Sequence, residues 1–220
     1  MSGGRIRVTR EASVDARVRK PLQAGQAGKV ALIASLALLA GISPTFAHES
    51  TGVAGGFASG FIHPIAGWDH VAAMVAVGLW GAFLGAPAIW LLPIVFPLVM
   101  AIGGGLGIVG VPIPGVEAGI AASAVVLGLM VALGAKPPLW VAAIVVGTFA
   151  IFHGHAHGTE LPAAADALAY AAGFVIGTGL LHLAGIALGL TVRWEPGRVA
   201  TRAVGGAIAV AGLAFLTGFA

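Results

Sequence analysis

Long apolar runs alternate along this chain with short breaks built from Gly and Pro. From residue 67 onward the runs occupy roughly 67–85, 88–110, 115–134, 137–155, 163–190 and 198–219. Between them stand Gly85-Ala86-Pro87, the Gly110-to-Gly115 segment with Pro112 and Pro114, Pro137-Pro138, Pro162, and Pro196-Gly197. Such clusters punctuate helices. About 20 apolar residues, at ~1.5 Å rise each, cross a ~30 Å hydrocarbon core, so the pattern predicts six spans. The 163–190 run is long enough to tilt or kink. An earlier apolar piece, 52–62, is too short to cross and predicts a half-helix or re-entrant segment, allowed only where protein covers its ends. His63 follows it, and Pro64 suits the first turn of a new helix.

The beginning of the chain reads differently. Residues 1–29 are basic and polar, residues 30–42 form a 13-residue apolar run, and Ser43-Pro44-Thr45-Phe46-Ala47 follows. This is the pattern of a secretory signal peptide, with cleavage expected after Ala47. The expected organisation is a signal peptide over 1–47 and a transmembrane domain over 48–220. The fold class is all-α, a polytopic membrane helix bundle of about six spans plus the short half-helix. A signal peptide without eukaryotic marks points to a bacterial inner membrane, with the mature N-terminus in the periplasm. His48 would then be the first residue, its α-amino group and imidazole together a candidate chelator.

Composition supports a lipid setting. Of 220 residues 59% are hydrophobic and only 9% charged, against roughly 25% charged in soluble proteins. The 35 glycines suit close helix–helix approach in lipid. With no Cys, disulfides and thiolate metal ligands are excluded. Seven of the eleven Lys/Arg lie in residues 1–29, and from His48 onward four bases face six acids. The basic character belongs to the leader, which excludes nucleic acid as a partner. With the 67–85 span starting outside, Lys136, Arg193, Arg198 and Arg202 all fall in or beside inner turns, as the positive-inside rule requires. The same parity places the clustered polar residues in the outer half.

Those residues form two runs. The first is His63-Pro64-Ile65-Ala66-Gly67-Trp68-Asp69-His70, and the second is His153-Gly154-His155-Ala156-His157-Gly158-Thr159-Glu160. A charged side chain at the centre of a membrane helix costs roughly 2.5–3.5 kcal/mol on insertion scales, so several together invite a compensating cation. Read as helical from Pro64, the first run puts His63 and His70 on one face and turns Asp69 about 100° away. In the second, His153, His157 and Glu160 form one stripe and His155 points elsewhere. Imidazole with carboxylate suits Ni, Co, Zn, Cu or Fe. Glu117, just inside an outer entrance, is a ligand or proton acceptor. Asp166 is a solvated helix-start acid. Met74, Met100 and Met130 are core filler, Phe96 reads as packing, and Trp80, Trp90, Trp140 and Trp194 read mostly as interface anchors. His182, with Thr178 one turn before it, is either a helix-packing hydrogen bonder or a second station on an ion path.

The motif His63-Pro-x-x-Gly-x-Asp69-His70, followed by Ala-Met-Val-Ala-Val-Gly-Leu-Trp80, resembles the signature of the HupE/UreJ family of nickel permeases. Phe152-His-Gly-His-Ala-His-Gly-x-Glu160-Leu-Pro162 is similar to that family's other motif, and Gly115-Val116-Glu117-Ala118-Gly119 with Ser123 and Val125-Val126-Leu127-Gly128 to the region between. The resemblance covers essentially all of 48–220. It implies a secondary transporter for Ni²⁺, or Co²⁺, supplying hydrogenase or urease maturation, with no organic cofactor. The functional set it implies is His63, Asp69, His70, Phe96, Glu117, His157 and Glu160, and Phe96 enters only through it. Additional metal or path candidates are His48, His153, His155 and His182. No Walker A pattern is present, so drive would come from membrane potential, about 2.3 kcal/mol per charge per 100 mV, or from proton exchange. Two rival classes use the same residues: an intramembrane zinc-dependent hydrolase and a b-type haem protein with paired axial His.

Overall fold

The computed structural model describes residues 52–161 and 166–219. Residues 1–47, where a signal peptide is expected, His48 and Pro162 lie outside the described residues. Among the described residues, seven α-helices follow one another: α1 Gly52–Ala66, α2 Trp68–Leu84, α3 Ala88–Ile108, α4 Val116–Leu133, α5 Leu139–Thr159, α6 Ala167–Gly189 and, after a 3₁₀ turn at Leu190–Arg193, α7 Glu195–Thr217. There is no strand among the described residues. Helices α3 to α7 are each long and apolar enough to cross a bilayer, and α1 with α2 form a pair bent by 80° that makes a sixth crossing if counted as one span. The span boundaries expected from Gly and Pro hold to within about four residues at each end.

The first junction differs from the sequence reading. Pro64 lies inside α1, in its last turn, and the break falls at Gly67, whose backbone is extended (φ −94°, ψ 117°). Packing keeps the helix going through the proline. Pro64 is buried, and a Cβ on Gly177 of α6 would come within 3.0 Å of its ring. The half-helix is therefore anchored sideways on α6.

Helix α2 is the axis. It is enclosed from Val71 onward, with Ala73, Met74, Ala76, Val77, Leu79 and Trp80 all fully buried, and α3, α4, α6 and α7 pack around it. Its low polarity on every side is what a buried helix requires. Trp80 is thus not an interface anchor. Its indole N–H donates to the Ala135 carbonyl at 3.0 Å, pinning the end of α4. Trp90, Trp140 and Trp194 are well exposed, as anchors are. Large aliphatic side chains on α3, α6 and α7, among them Ile94, Leu98, Leu183 and Val210, also face outward, the surface expected against lipid.

Strict alternation of helix direction gathers the start of α2, the start of α4 and the end of α5 at one end of the bundle. The opposite end holds the basic residues. Arg202 donates to the Ala132 carbonyl at 2.6 Å, and the Lys136 ammonium sits 5.4 Å from the centre of the Phe83 ring.

Candidate metal site

The second polar run reads as two interleaved instructions. Gly154 and Gly158 turn toward α3. A Cβ on Gly154 would strike the Met100 carbonyl, and one on Gly158 the Gly104 carbonyl. These contacts bring the α3 and α5 backbones together, the small-residue packing of membrane helices. One helical step away, His153 and His157 then face the bundle interior, both buried. His155 takes a third direction, and its Nε2–H donates to the Val111 carbonyl at 2.7 Å. It ties α5 to the α3–α4 loop and does not join the cluster.

The first run meets this stripe because of the bend. An unbroken helix would have placed His63 and His70 two turns apart on one face. The 80° turn at Gly67 instead brings both against His157. The His63 and His157 ring centres are 4.7 Å apart, those of His70 and His157 4.6 Å, and those of His70 and His153 4.9 Å. His63 Nε2 lies 3.4 Å from Glu160 Oε2. One donor atom from each of His63, His157 and Glu160 fits within 4.8 Å of the other two, the compactness a transition-metal ion needs.

Asp69 lies against His70. Its Oδ1 accepts the backbone N–H of His70 at 2.8 Å and the Nδ1–H of the His70 ring at 2.9 Å. That fixes the tautomer and leaves the Nε2 lone pair free, the carboxylate–histidine arrangement that supports metal ligands. His153 is fixed likewise, its Nδ1–H donating to the Phe149 carbonyl at 3.0 Å. The buried Nε2 atoms of His70 and His153, and both ring nitrogens of His157, have no hydrogen-bond partner. Buried polar atoms are ordinarily satisfied, so four orphans on three neighbouring rings fit a cation better than a finished core.

A polar cavity of about 250 Å³ borders this cluster, lined by His63, Asp69, His70, Glu117 and Glu160 among others. Asp69 and Glu117 also line a larger neighbouring cavity of about 560 Å³ that reaches Phe215 near the end of α7. Glu117 and Glu160 are exposed, so two carboxylates stand at the mouth and the imidazoles lie deeper. Asp166 is apart from the cluster, where its side chain caps α6 by accepting the Ala169 N–H at 2.8 Å. Met74 and Met100 are buried in the core.

Phe96 is fully buried and stands edge-on to two imidazoles, His153 at 5.5 Å and His182 at 5.4 Å between ring centres. It is packing, as its apolar surroundings suggest, but packing between the cluster and the next histidine. Gly67, the glycine of the first motif, leaves room for the Asp69–His70 pair: a Cβ there would lie 2.8 Å from Asp69 Oδ1 and 3.1 Å from His70 Nδ1. Two contributors have no counterpart in the sequence reading, Tyr170 and Phe174 of α6, which wall the cluster with ring centres 6.0 Å from His63 and 4.3 Å from His157 respectively. The buried Tyr170 hydroxyl is also without a partner. As the only tyrosine in the chain, one turn before Phe174, it offered a signal.

Fold and site together define a multi-pass membrane protein that gathers imidazole and carboxylate donors at one end of an apolar bundle. Residues 36–215 match the HupE / UreJ protein family, and the chain belongs to that family. It is 48% identical over 187 residues to Protein HupE of Rhizobium leguminosarum bv. viciae, covering 84% of this chain and 95% of that one. No solved structure matches it.

Proposed function

We propose that this protein is a permease that carries Ni²⁺, with Co²⁺ as an alternative substrate, from the periplasm across the bacterial inner membrane into the cytoplasm. The cargo would feed hydrogenase or urease maturation. The observation that carries the reading is the convergence of His63, His157 and Glu160 donor atoms within 4.8 Å, beside His70 and His153 imidazoles whose Nε2 atoms are buried and unpartnered. Nitrogen-rich, thiol-free donor sets suit borderline divalent ions. Glu117 and Glu160 draw the hydrated ion to the mouth, and His63, His70 and His157 replace its water.

Orientation rests on Lys136, Arg193, Arg198 and Arg202, grouped at the end opposite the cluster, which the positive-inside rule assigns to the cytoplasm. The cluster then faces the periplasm, on the same side as the mature N-terminus left by cleavage after Ala47. A chelating His48 would add to that mouth.

The zinc-hydrolase reading has one feature in its favour, an apolar cleft of about 210 Å³ between α3 and α6 that reaches His157. The carboxylates lie on the other, polar side of the cluster, which suits ion entry better than attack on a substrate in that cleft. Accumulation of radioactive nickel by cells with and without this chain, with Co²⁺ and Zn²⁺ as competitors, tests the permease reading. Equal accumulation in both would overturn it.

A further inference from the structure

An ion that enters at the cluster needs somewhere to go. Toward the basic end of α6, His182 and Thr178 are one turn apart on a single stripe, both buried. His182 Nε2 and Thr178 Oγ1 have no hydrogen-bond partner. For Thr178 this is unusual. A helical hydroxyl ordinarily bonds back to a carbonyl three or four residues earlier, as Ser123, Thr159, Thr191 and Thr217 all do in this chain. A cavity of about 350 Å³ reaches His182 between α3 and α6, walled by Trp90, Pro93, Ile94 and Leu183. The apolar cleft that touches His157 lies in the same α3–α6 seam, nearer the other end, with Pro97 on its wall. Phe96 fills the level between, against both His153 and His182.

We propose that His182 and Thr178 form a second, transit site for the divalent cation, and that Phe96 is the partition between it and the outer cluster. This rests on the permease reading above. The donors are one imidazole nitrogen and one hydroxyl oxygen, so water carried in with the ion would complete the shell. Two protein ligands hold a borderline ion loosely, and a conducting site must be weak enough to let its ion leave. The partition sits on the weakest part of α3. Pro93 and Pro97 both lie inside that helix, and each lacks an N–H, which frees the carbonyls of Ile89 and Pro93 from their helical bonds. Small rotations of α3 at this level carry the Phe96 ring aside.

The test uses the full chain, purified and reconstituted into liposomes, with two readouts: equilibrium ⁶³Ni²⁺ binding and ⁶³Ni²⁺ uptake. His182→Leu keeps volume and removes the donor, and Thr178→Val keeps shape and removes the hydroxyl. Both are expected to bind nickel at the outer cluster as the parent does. Uptake should fall at least about tenfold in His182→Leu, the lower end of what a lost metal-site interaction costs, and partly return in His182→Gln, whose amide oxygen is a ligand. Parental uptake in both variants overturns the transit site. So does a parallel loss of binding and uptake in protein that remains monodisperse, since that assigns the residues to the outer cluster or to folding. If the parent neither binds nor accumulates nickel, the permease reading itself fails and the transit site falls with it.

Discussion

The Asp69 carboxylate accepts both the backbone N–H and the ring Nδ1–H of His70, at 2.8 and 2.9 Å, so one residue sets the aim of its neighbour's Nε2. In the permease proposed above, His70 would be the ligand and Asp69 the group that positions it. In Asp69→Asn the amide can turn either its oxygen or its NH₂ toward Nδ1, but the charge that raises ligand basicity is gone. Nickel affinity should fall about 10- to 100-fold, the usual effect of removing such an outer partner. His70→Ala should abolish uptake outright while the protein still inserts. Equilibrium ⁶³Ni²⁺ binding separates the two, and parental affinity in Asp69→Asn would remove the positioning role.

Gly67→Ala isolates the bend from the site. The Gly67 backbone is extended (φ −94°, ψ 117°), a conformation alanine adopts freely. Its Cβ, however, would sit 2.8 Å from Asp69 Oδ1 and 3.1 Å from His70 Nδ1, too close for either to stay. The expected result is unchanged thermal stability with uptake lost. A variant that melts early, or one that transports normally, contradicts this account of Gly67.

How much of this was legible in the chain depends on the local rule each residue obeys. The spans were, because the Gly and Pro clusters between the long apolar runs end helices by a backbone effect that needs no tertiary partner, whereas Pro93 and Pro97 within one run do not end it. The His153, His157 and Glu160 stripe was too, since a continuous helix fixes which residues share a face. The His63–His70 relation was not: Pro64 starts helices in isolation, but here its ring packs on Gly177 and the break moves to Gly67. The place of Trp80 was hidden for a similar reason. It lies near a helix end, but α2 is enclosed on all sides and the indole finds the Ala135 carbonyl. Tyr170 and Phe174 come to the cluster from α6, a contact no spacing in the first two runs encodes.

His155 and His157 are two residues apart and should respond oppositely to the same change. His155 Nε2–H serves the Val111 carbonyl at 2.7 Å, a bond that a glutamine amide can replace. His157 keeps both ring nitrogens unpartnered within the cluster, and a glutamine there would supply at best a weaker oxygen ligand. His155→Gln should retain near-parental uptake, and His155→Ala should lose about 0.5–1.5 kcal/mol of stability, the net worth of one hydrogen bond. His157→Gln should lose most uptake at unchanged melting temperature. If His155→Gln is inactive and stable, His155 belongs to the transport path after all.

Gly154→Ala tests whether the spacing of α3 and α5 sets the cluster. The added Cβ would meet the Met100 carbonyl and come 2.8 Å from the Gly104 amide nitrogen. Both are backbone atoms on a neighbouring helix, so neither can swing aside as a side chain would. The two helices must separate, and overpacking of this kind costs about 1–3 kcal/mol. Separation also moves the adjacent His153 away from His70, whose ring centre is 4.9 Å distant. Stability and nickel affinity should therefore fall together, unlike Gly67→Ala, where uptake is lost at unchanged stability. Gly105→Ala, one helical step along α3 with open space around its Cβ, is the matched control and should leave both unchanged. A Gly154→Ala protein that melts and binds like the parent would show that the seam has slack, and that close α3–α5 contact does not hold the histidines in place.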